Sequence, residues 1–276
     1  MTLCIAAATR DKHKPRIVIA TDWKAGTEIA GAEIQDKLAW ATDNIPVLLA
    51  GDVSRAIELK NTYRQFFEAL GKRKPPVAAT QHTIGDLIRK PAAVFKSKLV
   101  NEYINLKYGL PYKAFREAVS KKEIPPSIAT ETYAEIGKLE FDCELILSMF
   151  LANEPYLFKV HSNGAVEECD SFVAIGTGST IAEGVLYQRE QQSSMPLGRT
   201  IYHVFEAMKL GTIASGVGKE HTIDVLYPQG ERRKKIVGEY VSDRGKRFLE
   251  RKFNKLGPKR FANMPLPKSG FLEDDF

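Results

Sequence analysis

Cysteine is scarce in this chain of 276 residues: Cys4, Cys143 and Cys169 are the only three. They are too few and too scattered for a disulfide framework or a zinc site. Each sits in or beside an apolar or strand-like stretch, so buried free thiols are expected. Long hydrophobic runs are lacking too. None approaches the roughly 20 apolar residues of a membrane helix, and the N-terminal stretch has no basic-then-apolar secretory pattern. A cytoplasmic protein without a membrane partner is the expectation. The five histidines, His13, His82, His161, His203 and His221, have no metal-ligand spacing, so they are read as surface or helix positions and neither a metal nor another cofactor is expected. A phosphate loop is excluded as well. The stretch "SGVGKEH" contains Gly218 and Lys219, but Ile213 stands where the first glycine belongs and Glu220 follows the lysine. Internal repeats and low-complexity segments are absent.

What the chain does have is 43% hydrophobic and 27% charged residues, the balance of a globular protein with one substantial core. The net charge of +6 is uneven, since Glu231 to Arg260 hold twelve Lys or Arg against four Asp or Glu. The basic excess therefore belongs to residues 231–276, read as an extension of a main domain over residues 1–230. Such a tail suits nucleic acid, an acidic partner or another copy of the chain. It suits equally a solvated amphipathic helix, because Phe248, Leu249, Phe253 and Leu256 recur among the charges at helical spacing. Nucleic acid is not among the expected partners.

Two strand-rich blocks, each followed by a pair of helices, make up the rest. In the first, "TLCIAAAT" and "RIVIAT" flank the charged "RDKHKP" and read as an antiparallel hairpin. "DKLAWA" and "PVLLAG" are further strands. Leu59, Tyr63, Phe66, Phe67 and Leu70 then mark one face of a helix opening near Ser54. A second helix opens at Thr83, and Pro91 is expected to kink or interrupt it. Residues 108–138, with a weak apolar pattern and Pro111, Pro125 and Pro126, read as an insertion or linker. The second block opens with "FDCELILSMFLA" and "PYLFKVHSNGAVEE", where Asn163-Gly164 signals a two-residue hairpin. After "SFVAIGTGS" come a helix through Ala182, Val185 and Leu186 and another from Pro196 with Ile201, Val204, Phe205 and Met208 inward. "TIDVLYP" closes the block as a strand. The class is α+β: a four-layer αββα sandwich, two mostly antiparallel sheets between layers of helices.

Taken together, "TLCIAAAT", "RIVIATDWKAG", "DKLAW" and "VLLAGDVSRA", followed by "VAIGTGSTIAEGVLY" and "IASGVGKEHTIDVLYP", resemble the proteasome β-subunit family and its bacterial proteasome-like relatives. These are N-terminal nucleophile hydrolases. The resemblance covers roughly residues 2–70 and 141–228, with the motifs in the family's order. It implies a threonine-type amide hydrolase in which Thr2, exposed when methionine aminopeptidase removes Met1, supplies the nucleophilic hydroxyl and a free α-amine to take its proton. Lys37 aligns with the family's catalytic lysine, and Asp22 with the carboxylate that holds that lysine charged. Gly51 aligns with the glycine whose N–H faces the oxyanion. Thr177, Ser215 and Gly216 align with the supporting site residues, and Ala25, Gln35, Leu49, Val53 and Ile57 with the substrate pocket. Those five are uncharged and mostly apolar, which implies apolar side chains before the scissile bond.

The chain departs from the family pattern twice. Thr177 replaces the usual serine and keeps a hydroxyl. Thr212 replaces an aspartate three residues before Ser215 and loses a carboxylate. What the resemblance implies for partners is a peptide or unfolded-protein substrate, a homo-oligomeric ring of self-compartmentalised type, and room for an ATPase or other activator. The competing expectation is a catalytically silent proteasome-like scaffold or binding protein that works through the basic tail.

Overall fold

The computed structural model describes residues 2–11, 14–22, 37–71, 81–152, 154–229 and 235–258. In chain order these form β1 (Leu3–Asp11), β2 (Lys14–Asp22), β3 (Leu38–Thr42), β4 (Ile45–Gly51), α1 (Val53–Gly71), α2 (Gln81–Tyr108), α3 (Tyr112–Ser120) and α4 (Pro126–Gly137). The second half adds β5 (Cys143–Leu151), β6 (Glu154–Val160), β7 (Val166–Cys169), β8 (Phe172–Gly176), α5 (Ser179–Gln188), α6 (Leu197–Gly211), β9 (His221–Gln229), β10 (Lys235–Tyr240) and α7 (Asp243–Leu256). Compact packing divides the chain into Met1–Val241 and Ser242–Phe276.

Strand alternation builds the larger unit. In β1 the side chains of Leu3, Ile5 and Ala7 lie on one face and those of Cys4, Ala6 and Ala8 on the other, and all six are buried. A strand apolar on both faces belongs in the middle of a covered sheet. β1 accordingly sits between β2 and β8 in the sheet ordered β10-β9-β2-β1-β8, and the second sheet runs β3-β4-β5-β6-β7. Every neighbouring pair is antiparallel. Cys4, Ala6, Ile17, Ile19, Val173 and Ile175 of the first sheet meet Leu48, Ala50, Ile146 and Leu157 of the second in one apolar layer. On its outer face the second sheet packs Val47, Leu145, Leu147 and Phe158 against Leu59 and Tyr63 of α1 and Ile88 and Phe95 of α2. α5 and α6 cover the first sheet, where Ala182, Leu186, Val204, Phe205 and Met208 are buried. The order of layers is helices, sheet, sheet, helices, as the sequence implied.

Four details differ from the sequence expectations or refine them. α2 runs through Pro91 without interruption. Proline removes one backbone donor there, and in the same turn the Ile88 carbonyl accepts a hydrogen bond from the Tyr63 hydroxyl at 2.9 Å. Residues 108–138, expected as an insertion or linker, form α3 and α4. Their prolines are helix starters, with Pro111 and Pro125 at the N-caps and Pro126 in the first turn. Buried Phe115 holds the pair, stacked on Tyr108 at 5.1 Å and edge-on to Tyr133 at 6.0 Å. The Asn163-Gly164 hairpin exists, but it is wider than the expected two residues: the last strand pair is Val160 with Val166. Gly164 has φ +88°, and the Asn163 side chain accepts the Ala165 N–H at 2.9 Å. Finally, β10 pairs with β9 along its length, so the sheet continues past residue 231.

Cys4 and Cys143 are buried and Cys169 half-buried, all as free thiols. In the Ser242–Phe276 unit, α7 is capped by the Ser242 hydroxyl, which accepts the Gly245 N–H at 3.3 Å. Lys252 lies over the Phe248 ring at 5.4 Å. Among the described residues no helix is long and apolar enough to cross a membrane.

Candidate active site

Thr2 immediately precedes the central strand, and its position follows from β-register. Leu3 pairs with Gly176 on one side, while Cys4 pairs with Thr21 on the other. The end of β8 and the carboxylate that ends β2, Asp22, are thereby brought to the same end of β1. Thr2 is 6% exposed and Asp22 2%. A carboxylate so buried stays charged only where donors surround it, and Asp22 has four. Its Oδ1 accepts from the Thr2 hydroxyl at 3.1 Å, the Leu3 N–H at 2.8 Å and the Lys37 ammonium at 2.5 Å. Its Oδ2 accepts the Gly218 N–H at 2.9 Å. The Lys37 side chain is 10% exposed, so the pair is shielded from water. A hydroxyl, an ammonium and two backbone N–H groups thus converge on one anion.

Beside Thr2 lies a cavity of about 330 Å³, walled by both sheets. The first sheet contributes Gly176 and, just past it, Thr177; the second contributes Ala50, Gly51, Cys143 and Glu144, with Glu140, Asp142 and Ser162 at its margins. Two glycines make the close approach possible. Gly51 has φ +96°, and a Cβ there would meet the Asp142 carbonyl oxygen at 2.4 Å. Gly176 has φ +90°, and a Cβ there would meet the Thr2 carbonyl oxygen at 2.3 Å. Any side chain at either position would strain the backbone and push the walls apart.

The positions named from sequence fall into three groups. Thr2, Asp22 and Lys37 are joined by hydrogen bonds, and Gly51 and Thr177 share the cavity with Thr2. Ser215 is exposed and Gly216 takes φ +85° in the turn after α6. The turn's contribution reaches the site through Gly218, whose N–H binds Asp22. Thr212 directs its hydroxyl back to the Lys209 carbonyl at 2.7 Å as part of the α6 C-terminus. Of the pocket positions, Leu49 packs partly buried against the α1 and α2 side of its sheet, Val53 is 46% exposed and Ile57 is half-buried. None of these three lines the cavity beside Thr2. Met1, Ala25 and Gln35 lie outside the described residues.

Sequence reasoning missed the backbone donor of Gly218 and the carboxylates Glu140, Asp142 and Glu144. A backbone N–H leaves no signature in residue type, whereas the run of acids around Cys143 in "GKLEFDCELI" was visible. Its placement at the site comes from the pairing of Cys143 with Gly51. Burial first, and then the charges of Asp52 and Asp142, push the Cys143 thiol up to about 12, with Arg55 opposing and Glu144 adding a smaller push. Cys143 is therefore a neutral wall and no nucleophile. Among the described residues no cluster of His, Cys, Asp or Glu fits a metal ion.

Comparison with curated proteins returns no significant match. The family model described as "Proteasome subunit" matches residues 114–225, which run from within α3 to within β9 and include Thr177, Ser215 and Gly216 but not Thr2, Asp22, Lys37 or Gly51. Carried by the two stacked five-stranded antiparallel sheets with helices on both outer faces, that match supports membership of the proteasome-like family and, at the family level, an N-terminal nucleophile hydrolase.

Proposed function

We propose that the chain is a threonine-type amide hydrolase whose nucleophile is the hydroxyl of Thr2, made competent when opening of the Met1–Thr2 peptide bond frees the α-amine. The observation that carries this proposal is the buried Asp22 carboxylate, which holds both the Thr2 hydroxyl and the Lys37 ammonium at the edge of a cavity.

In this mechanism the Thr2 α-amine takes the hydroxyl proton as Oγ1 attacks the substrate carbonyl carbon. A free α-amine has an ordinary pKa of about 7.7–8.0, so a neutral fraction exists near pH 7. Lys37 lowers the cost of negative charge on Oγ1, and Asp22 holds that lysine in place. The Gly51 N–H receives the oxyanion, a contribution of roughly 10²–10³ in rate for one such donor. Collapse breaks the C–N bond, and the leaving amine departs with the proton held by the α-amine. Water then attacks the acyl-ester, releasing the carboxylic acid and restoring the hydroxyl. Thr177, Ser215 and Gly216 support the amine and its loop. The natural setting of this chemistry is a cytoplasmic ring of identical chains that acts on peptides or unfolded proteins, with or without an ATPase or other activator.

The test combines peptide hydrolysis with covalent labelling by a β-lactone or epoxyketone, on protein whose N-terminus is verified as Thr2 by intact mass. Hydrolysis and labelling are expected together, and Thr2→Ala should remove both by roughly a thousandfold or more. Hydrolysis unaffected by Thr2→Ala would overturn the assignment. A silent scaffold is the second reading. It is favoured by Thr212, which stands where the family pattern has a carboxylate and turns its hydroxyl away to Lys209. Absence of labelling on a chain with a verified free Thr2 would establish that alternative.

A further inference from the structure

β8 is the last strand of its sheet, with β1 on one side and, among the described residues, no strand on the other. Its register fixes which backbone groups face that open edge. The Ser171 carbonyl accepts the Ala8 N–H at 2.8 Å, so alternation hands the backbone groups of residues 171, 173 and 175 to β1 and turns those of 172, 174 and 176 outward. A bare strand edge is open to stray pairing. Here side chains occupy it. The Ala174 N–H donates to Glu183 of α5 at 3.1 Å, and the Ala174 carbonyl accepts from the Lys159 ammonium of β6 at 3.2 Å. The Gly176 N–H donates to Glu144 of β5 at 3.4 Å. Glu144 and Lys159 are themselves paired at 3.6 Å, with side chains 28% and 14% exposed. Two of the three side chains come from the opposite sheet, so this clamp crosses the sandwich at the end of β8 that meets Thr2.

Resting on the reading of Thr2 as nucleophile, we propose that Glu144 and Lys159 are positioning residues for the reaction, which with Glu183 hold the free edge of β8 so that Gly176 and Thr177 stand at a fixed place beside the nucleophile. Gly176 lies so close to Thr2 that a Cβ would fall 2.3 Å from the Thr2 carbonyl oxygen, and Thr177 lines the same cavity. Outward drift of the end of β8 therefore widens the cavity directly, and a misplacement of about 1 Å can cost roughly a hundredfold in rate. Lys159 has a second effect. Glu144 lines the cavity in which the oxyanion would form, and an uncompensated carboxylate there would oppose that charge; the ammonium at 3.6 Å offsets it. Glu144 supplies the acceptor, and Lys159 cancels its unwanted charge.

The experiment uses the full chain with Thr2 verified as N-terminal. Competent sites are counted by stoichiometric Thr2 labelling, so that kcat is expressed per labelled site, a quantity that partial unfolding of a variant leaves unchanged. Glu144→Leu should lower it by roughly tenfold or more with KM within about twofold. Glu144→Gln, whose amide oxygen still accepts the Gly176 N–H, should recover most of that loss. Lys159→Met should be slower than Glu144→Gln/Lys159→Met, because only the single variant leaves the carboxylate unmatched. Amide hydrogen exchange in the Thr2→Ala protein gives a readout without turnover. Ala174 and Gly176, which β1 does not protect, should exchange slowly, and adding Glu144→Leu should speed Gly176 by roughly tenfold while Val173 and Ile175 stay protected. Unaltered kcat per site in Glu144→Leu, or a Gly176 amide that exchanges as fast as an open edge before any change at Glu144, overturns the proposal while leaving the nucleophile standing. If Glu144→Leu fails to fold, the Lys159 comparison decides alone, and equal rates in the single and double variants overturn the proposal. Slow exchange at Gly176 in a chain that shows no Thr2 labelling overturns both the nucleophile and the positioning role, leaving a clamp that serves the fold.

Discussion

Replacing Asp22 by asparagine changes one atom in a fully buried side chain and alters every contact at the site. The amide keeps the shape but offers one acceptor and one donor. With its oxygen in the Oδ1 place it still receives the Thr2 hydroxyl, the Leu3 N–H and Lys37, but its NH2 then faces the Gly218 N–H, donor to donor. The opposite orientation sets the NH2 against three donors and is worse. Two costs follow. Lys37 at 10% side-chain exposure loses its counter-charge, and removing one partner of such a pair costs about 3–5 kcal/mol. The orphaned Gly218 N–H adds about 1–3 kcal/mol. Because these groups touch, the terms do not simply add, and a total of about 4–6 kcal/mol is expected. At about 2–4 °C per kcal/mol for a domain of this size, Tm should fall by roughly 8–24 °C. Adding Lys37→Met to Asp22→Asn removes the uncompensated ammonium and should restore most of the first cost but not the second. Thermal and urea unfolding of both variants, with Thr2 labelling on the same samples, make the measurement. A loss below about 1 kcal/mol for Asp22→Asn, or no recovery in the double variant, would refute the buried pair as drawn.

Gly51→Ala should cost about 2–3 kcal/mol, because its Cβ has to displace the Asp142 carbonyl from 2.4 Å at φ +96°; it should also slow labelling of Thr2, and an unchanged melting curve would contradict the geometry. His203, buried in α6 with its Nδ1 2.8 Å from the Gln191 side chain, is held down to about 4 by burial first and by the charges of Arg199 and Arg189 next. Its folded pKa lies below the ordinary 6.5, so the unfolded chain binds the extra proton, and stability is full above pH 6.5 and lost as pH falls toward 4. The loss is on the order of 3 kcal/mol, and His203→Gln should flatten that stretch of the stability-against-pH curve.

The sandwich was legible because its strands and helices carry strong periodic patterns; Thr2, Asp22 and Lys37 were named from the resemblance of their motifs, and what the structure adds is the pair of hydrogen bonds that joins them. The helices α3 and α4 were not. Their first turns hold the prolines that serve as linker signals elsewhere, and Phe115 is a single anchor whose partners Tyr108 and Tyr133 lie on neighbouring helices. Ser215 was assigned from motif order, yet the contact from that turn is the Gly218 N–H, three residues on. A backbone donor is set by chain path, which Gly216 at φ +85° bends, and no residue type announces it. The acids at 140, 142 and 144 became part of the site only through the register that sets Cys143 beside Gly51.

The hydrogen bond from Gly218 to Asp22 joins residues 196 apart in sequence, and this separation sets an order of events in time. Closing so long a loop is slow, and nothing rewards it until the strands on both sides are paired. The donor shell of Asp22 is therefore completed late, after β9 has docked on β2. Until then the carboxylate that binds the Thr2 hydroxyl and the Lys37 ammonium lacks one of its four donors. If Thr2 is the nucleophile proposed above, its labelling during refolding should appear only with the last step of folding, when β9 docks on β2.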